Sequence, residues 1–286
     1  MHLGEIEVLY LDGGAFALDG GAMFGVVPKV LWEKKSPPDE KNRIRMRANS
    51  LLVRSAGKII IVETGNGTQW DPKLRAIYAI QDGDPLIGSL AKAALRPDQV
   101  DLVINTHLHF DHAGGDTRLL NGRIIPTFPN ARYIVQRGEL AHAMSPTERD
   151  RASYFPEHLQ AISREGLWQL VEGNHEILPG ISVERIPGHN ADIQAVKISG
   201  GSKTLAFVAD LFPTRHHIQL PWIMAYDLYP LQTLETKRHW LPRIVEGGWI
   251  VVFGHDPDAA AATLHERGGK IEIEPVDLNR GILGES

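Results

Sequence analysis

Short apolar runs bounded by Gly, Asp and Pro recur along the whole chain, and most have the length and spacing of strands. Residues 6–11, 100–105, 132–135, 182–186, 204–208, 249–253 and 270–273 read as strands, and 50–53 with 58–62 read as a hairpin pair turned at Ala56-Gly57. Between them, 85–94, 137–143, 156–170, 231–245 and 258–267 carry helical spacing. This alternation predicts an α/β protein with enough strands for two sheets. The helix over 156–170 has two readings: it packs on one sheet face, or it caps a pocket lined by Phe155 or Trp168. The early Gly-rich segment, Leu11-Asp12-Gly13-Gly14 through Gly20-Gly21-Ala22-Met23-Phe24, also has two. It is a set of turns that need positive φ, or it brings Met23 and Phe24 to an apolar channel or a dimer contact.

Composition narrows the classes. A chain of 286 residues allows one large domain or two small ones. No repeat or linker-like tract divides it, so it is read as one domain, residues 1–286. The net charge of −5 and the lack of a basic stripe argue against nucleic acid as partner. No apolar run approaches the roughly 20 residues of a membrane helix. The absence of cysteine removes disulfides, thiolate ligands and cysteine nucleophiles together. With no export-type pattern after Met1, a cytoplasmic location is expected.

The strongest chemical signal is Thr106-His107-Leu108-His109-Phe110-Asp111-His112-Ala113-Gly114-Gly115, directly after the apolar run Leu102-Val103-Ile104. Residues two apart on an extended chain share a side, which puts His107 and His109 together at a strand end while Leu108 and Phe110 face the core. The chain then turns and returns Asp111 and His112 to the same space. Imidazoles and a carboxylate concentrated in this way suit zinc or a similar divalent ion, and burying them together without a cation would be costly. His189, Asp210 and His255 each follow another apolar run. Each alone is an ordinary turn residue or cap; in company, at strand ends where α/β sheets gather ligands, they complete a set. His2, His142, His158, His175, His239 and His265 read as surface residues, whereas His216 and His217 stand out because they follow Asp210 closely.

With these residues in place the chain resembles the metallo-β-lactamase fold superfamily from Ile6 to about Ile273. Its His-x-His-x-Asp-His motif is complete at His107, His109, Asp111 and His112, and the later His, Asp and His follow in family order. The resemblance implies an αββα four-layer sandwich with two metal ions at its edge. One would be held by His107, His109 and His189, the other by Asp111, His112 and His255, with Asp210 bridging. Zinc is expected first, with manganese, cobalt or iron as alternatives. The family often has Asp-Thr-Gly after an early strand; here Glu63-Thr64-Gly65 stands instead, and Glu63 either supports the metal loop with a longer arm or is shifted.

Two divalent ions about 3.5–4 Å apart make hydroxide near neutral pH for attack on a carbonyl or phosphorus, and Asp111 is the candidate to carry the proton to the leaving group. Within the superfamily, the lack of a Cys ligand disfavours one group of true β-lactamases. The short stretch after His255 disfavours glyoxalase II-like thioesterases, and the acidic balance disfavours RNA-processing relatives. The Gly-rich segment and Ala209-Asp210-Leu211-Phe212-Pro213-Thr214-Arg215-His216-His217, running on to Leu220-Pro221-Trp222 and Tyr226-Asp227, resemble the quorum-quenching N-acyl homoserine lactonases. That resemblance implies a small-molecule lactone or ester substrate, possibly acylated, and a homodimer. Lactonases of this kind carry a Tyr soon after the bridging Asp that hydrogen-bonds the substrate carbonyl. Phe212 and Pro213 occupy those positions here, which leaves the role to Tyr226 or His217; Tyr226 is otherwise a packed aromatic. A phosphotriesterase or arylesterase with the same metals is the alternative, and a metal-binding scaffold without catalysis the third.

Overall fold

Alternate side chains of a strand leave on opposite faces, and the long antiparallel pair at the start of the chain uses both. Val8 pairs with Val53 and Leu9 with Leu52; the valines enter the core between two sheets, the leucines a second core beneath helices. In a computed structural model describing residues 1–280, this division extends through the molecule. The strands are β1 (His2–Leu3), β2 (Ile6–Asp19), β3 (Arg43–Ser55), β4 (Lys58–Val62), β5 (Leu102–Ile104), β6 (Thr117–Leu120), β7 (Arg123–Pro126), β8 (Arg132–Gln136), β9 (Trp168–Val171), β10 (His175–Leu178), β11 (Ile181–Arg185), β12 (Gln194–Gly200), β13 (Lys203–Phe207), β14 (Ile250–Val252), β15 (Ala261–Arg267) and β16 (Lys270–Pro275).

One seven-stranded sheet runs β1-β2-β3-β4-β5-β8-β9, the other β10 through β16 in chain order, and β6-β7 form a separate hairpin. Helices Pro85–Lys92 and Pro156–Arg164 cover the outer face of the first sheet through Leu86, Leu90 and Ile162. Helix Pro230–Glu246 packs Trp240 and Ile244 against the second. The result is the αββα sandwich.

The parallel pairs position the site. Val62 is in register with Ile104 in the first sheet, and Phe207 with Val252 in the second. The loops after β4, β5, β13 and β14 therefore emerge at one edge, and main-chain and side-chain bonds join the sheets there. Asn49 in β3 donates from its backbone amide to the Gly254 carbonyl and from Nδ2 to the Phe253 carbonyl, across the sandwich.

Several expectations change. The 6–11 strand runs on to Asp19. The expected helix over 156–170 stops at Arg164, and Trp168 begins a strand that extends the first sheet. The alanine-rich 258–267 stretch is not a helix: Ala261–Arg267 is β15, paired on both sides with β14 and β16. Its helix-favouring alanines fill a narrow interior position while ladder bonds on two edges override local propensity. Among the described residues no helix is long and apolar enough to cross a membrane.

Candidate metal centre

The first loop after β5 places its residues by backbone turns that the local sequence allows. Gly114 and Gly115 sit so close to residues 64–66 that a Cβ on either would collide with the carbonyl oxygens of Asn66 and Thr64. Two non-glycine residues adopt positive φ beside the site, Glu63 (62°) and Ala209 (42°). Such conformations are costly and persist where the surroundings hold them, often at functional sites. Ala209 precedes Asp210. Glu63 turns its carboxylate under the histidine loop, accepting from the Thr106 amide and meeting His112 Nδ1 at 2.6 Å.

Seven buried side chains converge. Ligand-type atoms of His107, His109 and His189 lie within reach of one another, as do those of His107, His112 and Asp210, and of Asp111, His112 and His255. His109 Nδ1 is 3.1 Å from both His107 Nε2 and His189 Nε2. On the other side His255 Nε2 is 2.9 Å from His112 Nε2 and 3.4 Å from Asp111 Oδ2. Asp210 faces both groups: Oδ2 is 3.2 Å from His189 Nε2, and Oδ1 is 3.1 Å from His255 Nε2.

The tautomers follow from the outer partners. His112 Nδ1 faces the Glu63 carboxylate and His255 Nδ1 faces the Arg47 carbonyl, so each Nδ1 carries the proton and each Nε2 a lone pair. With the proton on each Nδ1 these lone pairs face one another, and Asp210 Oδ1 beside them is buried without a hydrogen-bond partner. His189 is the same case, its Nδ1 on Asp227 and its Nε2 toward the anionic Asp210. Converging lone pairs and carboxylate oxygens repel unless cations lie among them, so the donor set fits two metal ions of the zinc class.

Electrostatics divide the set into two imidazoles held neutral and two placed where carboxylates draw positive charge, whether a proton or a metal ion. Burial, then the neighbouring imidazoles, holds His107 and His109 well below the ordinary histidine range, in the neutral form a metal ligand needs. Burial opposes charge on His112 and His189 too, but Asp111, Asp210 and Glu63 raise the first, and Asp210 and Asp227 the second. Burial would push Asp210 up; His255, His189 and His112 hold it well below the carboxylate range.

His109, Asp111, His189, Asp210 and His255 form the floor of a 180 Å³ cavity, while His107 and His112 lie behind them. Leu18, Met23, Met224 and Leu228 give the cavity an apolar wall, and Tyr78, Tyr226 and Arg149 add polar groups. Tyr226 is 37% exposed, and burial of its ring raises its phenol pKa. Arg149 closes the wall by donating to the Ala225 carbonyl at 2.7 Å.

Several expected participants lie elsewhere. His217 is a correction: it is buried outside the cavity, with Nδ1 on Thr214 Oγ1 (2.8 Å), Nε2 on the Met23 carbonyl (2.9 Å) and its face stacked on Phe24. Burial lowers its pKa to about 3, so it is a neutral core side chain with both nitrogens engaged. Phe24 lies between Trp32 and His217, and only Met23 of that pair reaches the cavity. Phe155 packs on Trp70 and Trp168 on Tyr133; Arg149, Asp150 and Ser153, just before that helix, line the cavity instead. His158 is buried on Thr117, and His142 pairs with Asp150 at 2.5 Å; neither is a plain surface residue.

Two further residues support the histidine loop: Tyr154, edge-on to His109 with ring centroids 4.6 Å apart, and Glu139, which accepts from the Leu108 amide at 2.9 Å. Burial raises the Glu139 pKa to about 7. Both lie in segments whose pattern reads as ordinary packing, so nothing local distinguished them.

Comparison with known proteins agrees with this geometry. The metallo-beta-lactamase superfamily model matches residues 43–255. An N-acyl homoserine lactonase of Bacillus thuringiensis is 29% identical over 176 residues, 60% of this chain and 62% of the relative; the match thus spans under two thirds of that enzyme. A solved structure from Staphylococcus aureus, described as a probable metal-dependent hydrolase, superposes with a TM-score of 0.90 at 30% identity, covering 97% of this chain and 99% of that one. AidC, a dizinc quorum-quenching lactonase, shares the fold with a TM-score of 0.79 at 20% identity, covering 96% of each chain. With the motif, the sandwich and the ligand geometry all in agreement, the chain belongs to the metallo-beta-lactamase superfamily.

Proposed function

We propose that the protein is a single-domain, dinuclear metal hydrolase that opens lactone or carboxylic ester bonds, with N-acyl homoserine lactones as its substrate class. The observation that carries this reading is Asp210 facing two ligand groups at once on the floor of a cavity with an apolar wall. The lactonase likeness in sequence supports the substrate class. His107, His109 and His189 would hold one ion, Asp111, His112 and His255 the other, and Asp210 both; the nitrogen-rich set favours zinc.

Bound there, two such ions supply Lewis-acid polarisation and a water acidic enough to ionise near neutral pH. The chain's own residues do the rest. Asp111 is at the cavity floor, and its carboxylate can orient the attacking water and carry a proton to the departing ring oxygen. The Tyr226 hydroxyl, at the wall, donates to a substrate carbonyl. Leu18, Met23, Met224 and Leu228 take an acyl chain and keep water from it.

The test is proton release, followed by pH indicator, from a long-chain N-acyl homoserine lactone with zinc-loaded protein beside Asp111→Asn. Rapid release that drops by about 100-fold or more in the variant is expected. No release from the lactone, with rapid cleavage of an aryl phosphotriester, would overturn the substrate class.

A further inference from the structure

Each half of the centre contains one imidazole backed by a carboxylate. On one side Glu63 Oε2 meets His112 Nδ1 at 2.6 Å. On the other, Asp227 Oδ1 meets His189 Nδ1 at 2.9 Å. The remaining three imidazoles have weaker support: His107 Nδ1 on the Thr106 hydroxyl, His255 Nδ1 on the Arg47 carbonyl, and His109 Nε2 with no partner.

Asp227 is 2% exposed and has both oxygens engaged, for Oδ2 accepts from Thr233 Oγ1 at 2.7 Å. Thr233 lies in the first turn of helix Pro230–Glu246. The main chain after Asp227 is tied to the same loop: the Leu228 amide donates to the His189 carbonyl and the Tyr229 amide to that of Gly188, both at 2.9 Å. Gly188 has φ +146° and lies against Thr233 with no room for a Cβ. The His189 ring is thus fixed in tautomer and orientation by a buried anion anchored to a helix. Tyr226 and Leu228, the neighbours of Asp227, line the cavity.

We propose that Asp227 is a positioning residue that sets the metal affinity of the His107–His109–His189 half, independently of the half served by Glu63. This rests on the two-ion reading above. A carboxylate on the outer nitrogen makes an imidazole a more basic ligand and removes the cost of orienting it. Because the two carboxylates act on different rings, each tunes one ion.

The test is competitive titration of the metal-free protein with zinc against a fluorescent chelator. Wild type takes up two ions. Asp227→Asn keeps the shape and the hydrogen-bond acceptor but removes the charge; it weakens one ion by roughly 10–100-fold and leaves the other unchanged. Glu63→Gln does the same to the other ion. In a His109→Ala background, already deficient in the first half, Asp227→Asn adds little, whereas Glu63→Gln weakens the ion that remains. Thr233→Val cuts the anchor to the helix but keeps the Asp227 carboxylate on His189 Nδ1, and its effect is smaller than that of Asp227→Asn. Unchanged affinities, equal weakening of both ions, or an equal effect of Thr233→Val would overturn the inference while leaving the two-ion hydrolase standing. A wild type that takes up no zinc would remove both readings.

Discussion

The floor and the wall of the cavity are built on different principles. The floor is anchored at strand ends: its side chains leave the sandwich after β5, β11, β13 and β14, Asp227 braces His189 from behind, and Glu63 braces His112 beneath the floor. The wall is gathered from β2, a short helical turn at residues 20–24, the 149–153 segment and the 223–228 segment, held by contacts such as Arg149 to the Ala225 carbonyl. On the proposed reading the strand ends carry the chemistry and the surrounding segments shape the space for the substrate, which allows one to vary without the other.

Asp210→Ala breaks that comparison most severely. Its two oxygens face opposite halves of the floor, so its loss should release both ions and lower kcat/KM by about 1000-fold or more. This corresponds to the several kcal/mol expected of the metal centre. Metal analysis and kinetics on the same preparation check it. Full metal content with full activity would show that the floor does not depend on the shared carboxylate.

Tyr226→Phe probes the wall alone. The ring stays and the hydroxyl goes, so metal content should remain at two ions while kcat/KM falls about tenfold, the value of one hydrogen bond to a reacting carbonyl. If zinc is lost as well, wall and floor are not separable at this point. If nothing changes, Tyr226 is only a packed aromatic and the carbonyl is held by another group.

The same division decides what the sequence could reveal. His107, His109, Asp111 and His112 are consecutive or nearly so, and His189, Asp210 and His255 each follow an apolar run; strand-end context together with the family motif therefore pointed to all seven, which meet at one edge. Local pattern failed where tertiary contacts decide. The alanines of 261–262 became strand because ladders on both sides claimed them. His217, adjacent in sequence to the site, turned into the core because Thr214, the Met23 carbonyl and the face of Phe24 satisfied it there. Asp227 could not be told from a turn residue until Thr233 and His189 were seen on its two oxygens. Tyr78, Arg149 and Met224 reach the wall from segments with no shared spacing.

The smallest expected effect concerns what the wall rests on. Lys237, on helix Pro230–Glu246, is 1% exposed and donates to the carbonyls of Gln219 (3.0 Å) and Trp222 (2.8 Å), where the chain enters the 223–228 wall segment. Burial lowers its pKa to about 7, against roughly 10.4 in an unfolded chain. Between these values the unfolded state binds a proton that the native state does not, so stability rises with pH. The cost of the buried ammonium is complete below pH 7, shrinks as pH climbs through the window, and is gone above the unfolded value. Stability of wild type relative to Lys237→Met should therefore be flat below about pH 6 and gain about 1 kcal/mol between pH 7.5 and 8.5. Denaturant unfolding of both proteins at each pH measures it. A difference that falls with pH across that range would mean that the ammonium is stabilised by its two carbonyls, and that the wall rests on a charge rather than on a neutral amine.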